Sequence, residues 1–300
     1  MKVAIFGGSG FIGKRLTEFL AGQGWEVWVV SRSSRKSNHP HIQWATWQEV
    51  QSFPALFEGF DAFVNLAGES INQRWTRAAK DRVLESRLWA TGQIAKLTDK
   101  LDRRPEVVIN GSGVSLYGLS ETAVFDESSP FVNDHFLAEV VWKWEQAADR
   151  IEGVRLIKLR TGIVLDRTAE AYQKMSLPYK LGIGGRVGSG RQWLPWIHLE
   201  DMVRLIQFCI EREDMKGPVN AAAPNPVTNA QFGEQLARAI KRPNWFPVPS
   251  LVMKLVFGEL SILLLEGQRV MPRNLLDHGF VFRYPDIEEA IRELTRRERP

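Results

Sequence analysis

The chain has 300 residues, 44% hydrophobic and 25% charged, an ordinary globular composition that excludes disordered, collagen-like and coiled-coil classes. Its 39 basic and 35 acidic residues leave a net charge of +4, scattered except for residues 32–36 and a tail carrying Arg296, Arg297 and Arg299, so nucleic acid is not an expected partner. A single cysteine, Cys209, excludes an internal disulfide and a cysteine-based zinc site, no run approaches the roughly 18 apolar residues of a membrane span, and the expectation is a cytoplasmic protein without a membrane partner or metal.

Residues 3–6, Val-Ala-Ile-Phe, form an apolar run ahead of glycine and predict a buried strand. Ile12, Leu16, Phe19 and Leu20 follow at helical spacing, stopped by Gly22 and Gly24. Further strands are predicted at 26–30, more weakly at 42–47, and at 61–66, 106–110 and 154–159, with helices at about 76–99 and 134–151 between them. Buried strands alternating with helices specify an α/β fold with a doubly wound parallel sheet and right-handed crossovers. Beyond about residue 166 the pattern loosens into a glycine-rich loop, a helix near 201–212, a short run at 218–221, a helix near 229–239, a proline-rich passage at 243–249 and two final helical stretches.

Glycine is concentrated: six of the 24 fall within residues 7–24 and five within 182–190. The first cluster, Gly7-Gly8-Ser9-Gly10-Phe11-Ile12-Gly13, directly follows the first strand and opens the first helix. In that setting one glycine permits a tight turn, one admits a pyrophosphate and one lets helix and strand pack closely, while the helix amino end offers N–H donors. At the end of the second strand a chain specific for NAD carries Asp or Glu for the ribose 2′-hydroxyl. Here the sequence reads Ser31-Arg32-Ser33-Ser34-Arg35-Lys36, and a guanidinium beside hydroxyls suits a 2′-phosphate. NADP(H) is therefore expected over NAD; the alternative for this stretch is a solvated basic loop. Residues 1–165 are read as an NADP(H)-binding Rossmann domain and 166–300 as a smaller substrate-binding lobe, with an extension from about 245.

Further motifs resemble the extended short-chain dehydrogenase/reductase superfamily, within it the atypical epimerase-family branch, over nearly the whole chain. Asn65-Leu66-Ala67-Gly68-Glu69 is similar to the strand-4 motif that lines the adenine ribose and pyrophosphate, and Leu84-Glu85-Ser86-Arg87 to the helix whose Arg faces the cofactor. Residues 158–165 resemble the turn beside nicotinamide, 184–201 the substrate-lobe signature, and 258–282 the small carboxyl-terminal extension. The resemblance implies cofactor contacts at Gly7, Gly10, Phe11, Ile12, Gly13, Ser31, Arg32, Leu66, Ala67, Gly68, Arg87 and Val164. It also implies hydride chemistry on a small substrate, with a nucleotide sugar as the inherited class, and leaves a homodimer open.

The superfamily's Tyr-x-x-x-Lys pair, in which lysine lowers the tyrosine pKa, is absent. The residues four after Tyr117, Tyr172, Tyr179 and Tyr284 are Glu121, Ser176, Ile183 and Glu288. Tyr117 and Ser112, at the carboxyl end of the fifth strand, are the catalytic candidates that remain. Glu69 as a base and His198 with Asp201 as a proton shuttle are weaker ones, each with an ordinary capping or loop role as the alternative. The 182–190 loop, with Arg186 and Arg191, reads either as a cover over the ligand or as a connector. Two functions follow: an NADP(H)-dependent oxidoreductase or epimerase, or a non-catalytic NADPH-binding sensor or protein-interaction factor of the kind labelled cell-division inhibitor among similar proteins.

Overall fold

The computed structural model describes residues 1–296, so Arg297 and Arg299 of the basic tail lie outside the described residues. Seven strands make one sheet: β1 (Lys2–Phe6), β2 (Glu26–Ser31), β3 (Ile42–Thr46), β4 (Ala62–Asn65), β5 (Val107–Gly113), β6 (Arg155–Thr161) and β7 (Gly217–Ala221). Every pairing is parallel, in the order β7-β6-β5-β4-β1-β2-β3. The doubly wound α/β sheet expected from the sequence is thus present. Strand order reverses between β1 and β4, which opens a crevice at their carboxyl ends, where ligands of such sheets sit.

The sheet is buried on both faces, and residue alternation divides the core in two. Val3 and Ile5 of β1 face one layer with Leu16 and Leu20, whereas Ala4 and Phe6 face the other with Phe57, Phe60 and Phe63. Helix α1 (Phe11–Ala21) and the later α6 (Leu199–Glu211) supply the first layer. Helix α2 (Trp47–Ser52) and α3 (Arg77–Lys100) flank the second. Their starts follow from local chemistry. Thr46 and Glu49 form a reciprocal capping box at α2, and the Thr76 hydroxyl accepts the Ala79 N–H at α3.

Several elements depart from the sequence reading, among them the short helix α2, and two of them matter for the architecture. Helix α5 (Glu170–Lys180) lies where the sequence pattern predicts no element, because its inward stripe is only Tyr172, Ser176 and Tyr179 and Pro178 lies near its end. The run at 218–221, read with the second half, instead pairs with β6 and completes the main sheet. Around α5, α7 (Asn229–Ile240) and the helix Ile287–Thr295 a separate core forms from Tyr172, Trp196, Phe232, Leu236 and Ile291. Between α3 and α5 lies α4 (Phe136–Ala148), and beyond α7 a short α8 (Ser250–Phe257).

Asp201 ties this second core to α6. Fully buried, its carboxylate accepts the Arg283 and Tyr284 backbone N–H groups at 2.7 and 2.8 Å and the Arg204 guanidinium at 3.0 Å. Removing the acceptor takes the partners from two part-buried N–H donors and leaves a cavity at a fully buried side chain, at about 1–3 kcal/mol for each lost bond. Asp201→Ala should therefore lower the unfolding free energy by about 3 kcal/mol in denaturant titration; a loss under about 1 kcal/mol would refute the anchoring role.

Candidate functional site

The first glycine cluster is shaped by close approach. Gly7 takes φ +81°, and a Cβ there would lie 2.8 Å from the Ala67 backbone. A Cβ on Gly13 would lie 2.6 Å from the Gly7 carbonyl oxygen and the Gly8 Cα. The turn is thus pressed against the end of β4 and against the first turn of α1. Gly10 begins α1 without any side-chain cap, so the orphan N–H groups and the positive end of the helix dipole stay available to an anion. An uncapped helix end over a glycine turn, at the switch point of the sheet, fits a dinucleotide pyrophosphate. Beside it Phe11 is exposed, and Ile12 and Leu66 are half-buried against the core.

At the end of β2 the Ser31 hydroxyl donates to the Ser33 carbonyl at 2.6 Å, and Arg32 is exposed on the same rim. On the other side of the crevice Arg87 donates to the carbonyls of Glu69 and Val83, at 3.0 and 2.8 Å, and lies 5.0 Å from the Trp144 ring. Burial pulls its pKa down to about 10, against the opposing pull of Glu69. A Cβ on Gly68 would meet that guanidinium at 3.1 Å, so Gly68 and Arg87 are fitted to each other. Val164 points into the core, on the short pair that joins Ile163–Leu165 to Trp196–His198.

Beneath the crevice lie two buried polar networks. In the first, Asn65 and Asn110 are register partners on β4 and β5, and the Asn65 amide donates to Asn110 at 2.7 Å and to the Thr91 hydroxyl at 3.1 Å. The Trp144 indole also donates to Thr91, and Asn65 accepts the Ala67 N–H. This fixes the backbone of residues 65–68.

The second network contains both catalytic candidates. The Arg160 guanidinium forks onto the Glu145 carboxylate at 2.9 and 3.0 Å, and the Ser112 hydroxyl donates to Glu145 at 2.6 Å. Arg160 also donates to the Tyr117 hydroxyl at 2.9 Å, which in turn donates to Asn220 at 2.7 Å. Tyr117 is 1% exposed and stacks on Phe125. Burial pushes its pKa up to about 12 although Arg160 works the other way. Burial also disfavours the Arg160 cation, but Glu145 and Tyr117 outweigh it and raise its pKa. Glu127, whose carboxylate accepts the Asn220 and Asn274 N–H groups, is pushed up by burial. Glu145, Arg160 and Asn110 were not singled out in the sequence, and Asn65 only as the first residue of the strand-4 motif; the available signal was a charge or amide inside an apolar run, as in Ile-Asn110-Gly or Lys-Leu-Arg160.

The remaining candidates are engaged elsewhere. Glu69 is bound by Gln73 and Arg82, which hold its carboxyl below the usual range. His198 caps α6 by accepting the Glu200 N–H and reaches Glu293 at 3.2 Å. In the 182–190 loop a Cβ on Gly185 would collide with the Phe246 backbone, and Arg191 pairs with Glu121 at 2.9 Å. The second glycine cluster is a crossing of two chain segments.

Comparison with known proteins bears on this site. Residues 3–148 match the NAD dependent epimerase/dehydratase family, and residues 248–294 match a domain of unknown function, DUF1731. The chain is 38% identical over 297 residues to the Bacillus subtilis epimerase family protein YfhF, covering 98% of each chain. It is 39% identical to the mouse epimerase family protein SDR39U1 over 98% of this chain and 100% of the relative. Among solved structures, human epimerase family protein SDR39U1 (isoform 2) with NADPH superposes with a TM-score of 0.91 at 39% identity, over 98% of this chain and 99% of that one. A Corynebacterium glutamicum nucleoside-diphosphate sugar epimerase superposes at 0.80 and 29% identity, over 98% of this chain and 58% of that one.

Tyrosine ionisation offers a direct check on the site. Tyr117 and Tyr172 are both pushed up to about 12, and Tyr179 and Tyr284 are raised. Tyrosinate absorbance should therefore stay flat through the neutral range. Because these pKa values are raised in the folded state, the unfolded chain releases its protons first, and stability should fall as pH climbs from about 10 towards 12. A tyrosine titrating below about pH 9 would contradict the closed network.

Proposed function

Because the chain belongs to the NAD dependent epimerase/dehydratase family, we propose that it binds NADP(H) across the β1–β4 crevice as an oxidoreductase or epimerase of the extended type. The observation that carries this reading is the uncapped amino end of α1 over its glycine turn, with Ser31 and Arg32 standing where a chain specific for NAD would place an acid. The similar human protein was solved with NADPH.

In this reading the N–H groups at Phe11, Ile12 and Gly13 hold the pyrophosphate, and Gly7 and Gly10 keep the backbone out of its way. Arg32 and the Ser31 hydroxyl bind the 2′-phosphate. Leu66, Ala67 and Gly68 line the adenine ribose on a backbone fixed by Asn65, while Arg87 braces the Gly68–Glu69 turn. The backbone around Val164 borders the nicotinamide end, its side chain being turned into the core. Bound, the dinucleotide supplies or accepts a hydride at nicotinamide C4, and a nucleotide sugar is the first substrate class to try, since two proteins of the same fold, MoeE5 and a UDP-N-acetylglucosamine 4-epimerase, were solved with such ligands. Ser112 and Tyr117 serve as the floor: their hydroxyls orient Glu145, Arg160 and Asn220, and the substrate proton that accompanies the hydride is given up to, or taken from, water above them.

The same floor favours a second reading. With the Tyr117 proton committed to Asn220 and its lone pair to Arg160, the dinucleotide would stabilise one conformation for another protein to read, with no turnover.

Saturating NADPH should raise the melting temperature; at 100 times its dissociation constant the linkage gain is about 2.7 kcal/mol. No stabilisation at all would sink both readings. Consumption of NADPH absorbance, or interconversion of epimers, with a panel of nucleotide sugars and carbonyls selects the enzyme; none across the panel selects the sensor. Arg32→Asp should weaken NADPH at least about tenfold more than NADH, the loss expected for a charge-assisted contact. Equal weakening of both would overturn the 2′-phosphate assignment.

A further inference from the structure

Helix α8 is an anomaly of packing. Of its described apolar side chains only Met253 is buried, whereas Leu251, Val252, Leu255 and Val256 are exposed, Leu255 by 78%. The segment leading into it presents Trp245 and Phe246, exposed by 79% and 52%. This segment runs beside the second glycine cluster: Phe246 N–H donates to the Gly184 carbonyl, Val248 N–H to Arg186, and Gly188 N–H to Val248. Leu181 and Ile183, both exposed, therefore belong to the same surface. A soluble protein rarely leaves so many large apolar side chains side by side without a use for them. Just past α8, Glu259 pairs with Lys80, which brings the arm into contact with α3.

Charge identifies what covers the patch. No Asp or Glu occurs between Glu170 and Glu200, nor between Glu234 and Glu259, the two segments that build it; those segments carry eight Lys and Arg. Lys174, Arg191 and Arg238 are paired with carboxylates. Among the described residues Lys180, Arg186, Lys241, Arg242 and Lys254 have no carboxylate partner, and all five are exposed. A second copy docked patch to patch would bring five uncompensated cations against five more, so self-association is opposed. Apolar side chains with an exposed tryptophan inside an all-basic rim have the composition of a surface that lies in the interface of an anionic bilayer.

We propose that residues 181–186 and 241–256 form a peripheral membrane-binding face, which inserts the apolar side chains of α8 and Trp245 among lipid headgroups while its lysines and arginines contact anionic lipid. Such contact needs no spanning helix, and none of the described helices is long and apolar enough to cross a membrane. The face is built from the carboxyl-terminal extension and the chain just past α5, and none of its residues is among those assigned to the dinucleotide.

The test is co-sedimentation of the full chain with vesicles of phosphatidylcholine mixed with phosphatidylglycerol, against phosphatidylcholine alone. Binding should require the anionic lipid and weaken with salt. Each cation near an anionic surface contributes about fivefold, so Lys241→Glu with Arg242→Glu should lower partitioning at least about twenty-five-fold. Leu255→Asp with Val256→Asp should abolish it, and both variants, altering exposed residues, should melt as the parent does. Absence of binding to the mixed vesicles overturns the proposal, as does equal binding to neutral and anionic vesicles. A concentration-dependent dimer that Leu255→Asp disperses would assign the patch to a second copy instead.

Discussion

A single buried ion pair, Arg160 with Glu145, organises the polar end of this fold. Two charges taken out of water cost several kcal/mol each and are tolerated only when geometry and additional hydrogen bonds compensate. Here the compensation is close to complete. The carboxylate receives both arms of the guanidinium fork and the Ser112 hydroxyl, and the third guanidinium nitrogen is taken by Tyr117. Through those partners the pair joins α4 to β6, β5 and, by way of Asn220, to β7. That explains how a strand contributed from beyond residue 216 is held in register with the rest of the sheet. Losing either partner would leave an uncompensated buried charge, a penalty of about 3–5 kcal/mol, far above what any surface pair in the molecule supplies.

The two glycine clusters look alike in the sequence and do different work. Around Gly7 and Gly13 the crowding atoms are backbone of the same turn and of residues 66 and 67, while Gly10 is exposed. Side chains are absent there so that an outside group can approach. Around Gly184, Gly185 and Gly190 the crowding atoms belong to Tyr179, Phe246, Ala230 and Arg186, all within the protein. Side chains are absent there so that the chain can approach itself. Local sequence distinguishes the first case because a strand and a helix flank it. It has no means of distinguishing the second, since the segment at 243–249 that fills the space is about sixty residues away.

The same separation explains what was legible. Period and burial predicted β1 to β6, α1, α3 and α4 within a few residues, because each is a continuous apolar run or a regular stripe. Helix α5 hid because its inward positions include Ser176 and its end contains a proline. The switch-point cradle was legible because glycine spacing reports backbone geometry directly. The floor of the site was not, since it depends on a glutamate in the middle of an amphipathic helix and an arginine in a strand, each of which reads as a solvated charge until tertiary contact pairs them. Tyr117 and Ser112 were correctly placed at the carboxyl end of β5, but their partners are separated from them by 33 to 103 residues.

The electrostatics of the crevice follow from that pairing. Arg160 is neutralised by Glu145, and Lys158 by Asp149, with Glu145 a second carboxylate at 3.9 Å. The floor therefore contributes little net field to a ligand above it. Positive character is left to the rim: Arg32 in solvent, the uncapped amino end of α1, and Arg87, whose guanidinium gives two hydrogen bonds to carbonyls and has no direct carboxylate contact. A site with a neutral, fully hydrogen-bonded floor and a cationic rim is matched to a ligand whose charge lies at its phosphates and whose reacting end is uncharged or only modestly so. It also separates two tasks that the missing Tyr-x-x-x-Lys pair would have combined. In the proposed reading, holding the dinucleotide falls to backbone and arginine at one end of the crevice, and whatever proton moves at the other must do so without disturbing a network in which the Ser112 and Tyr117 hydroxyls are already committed.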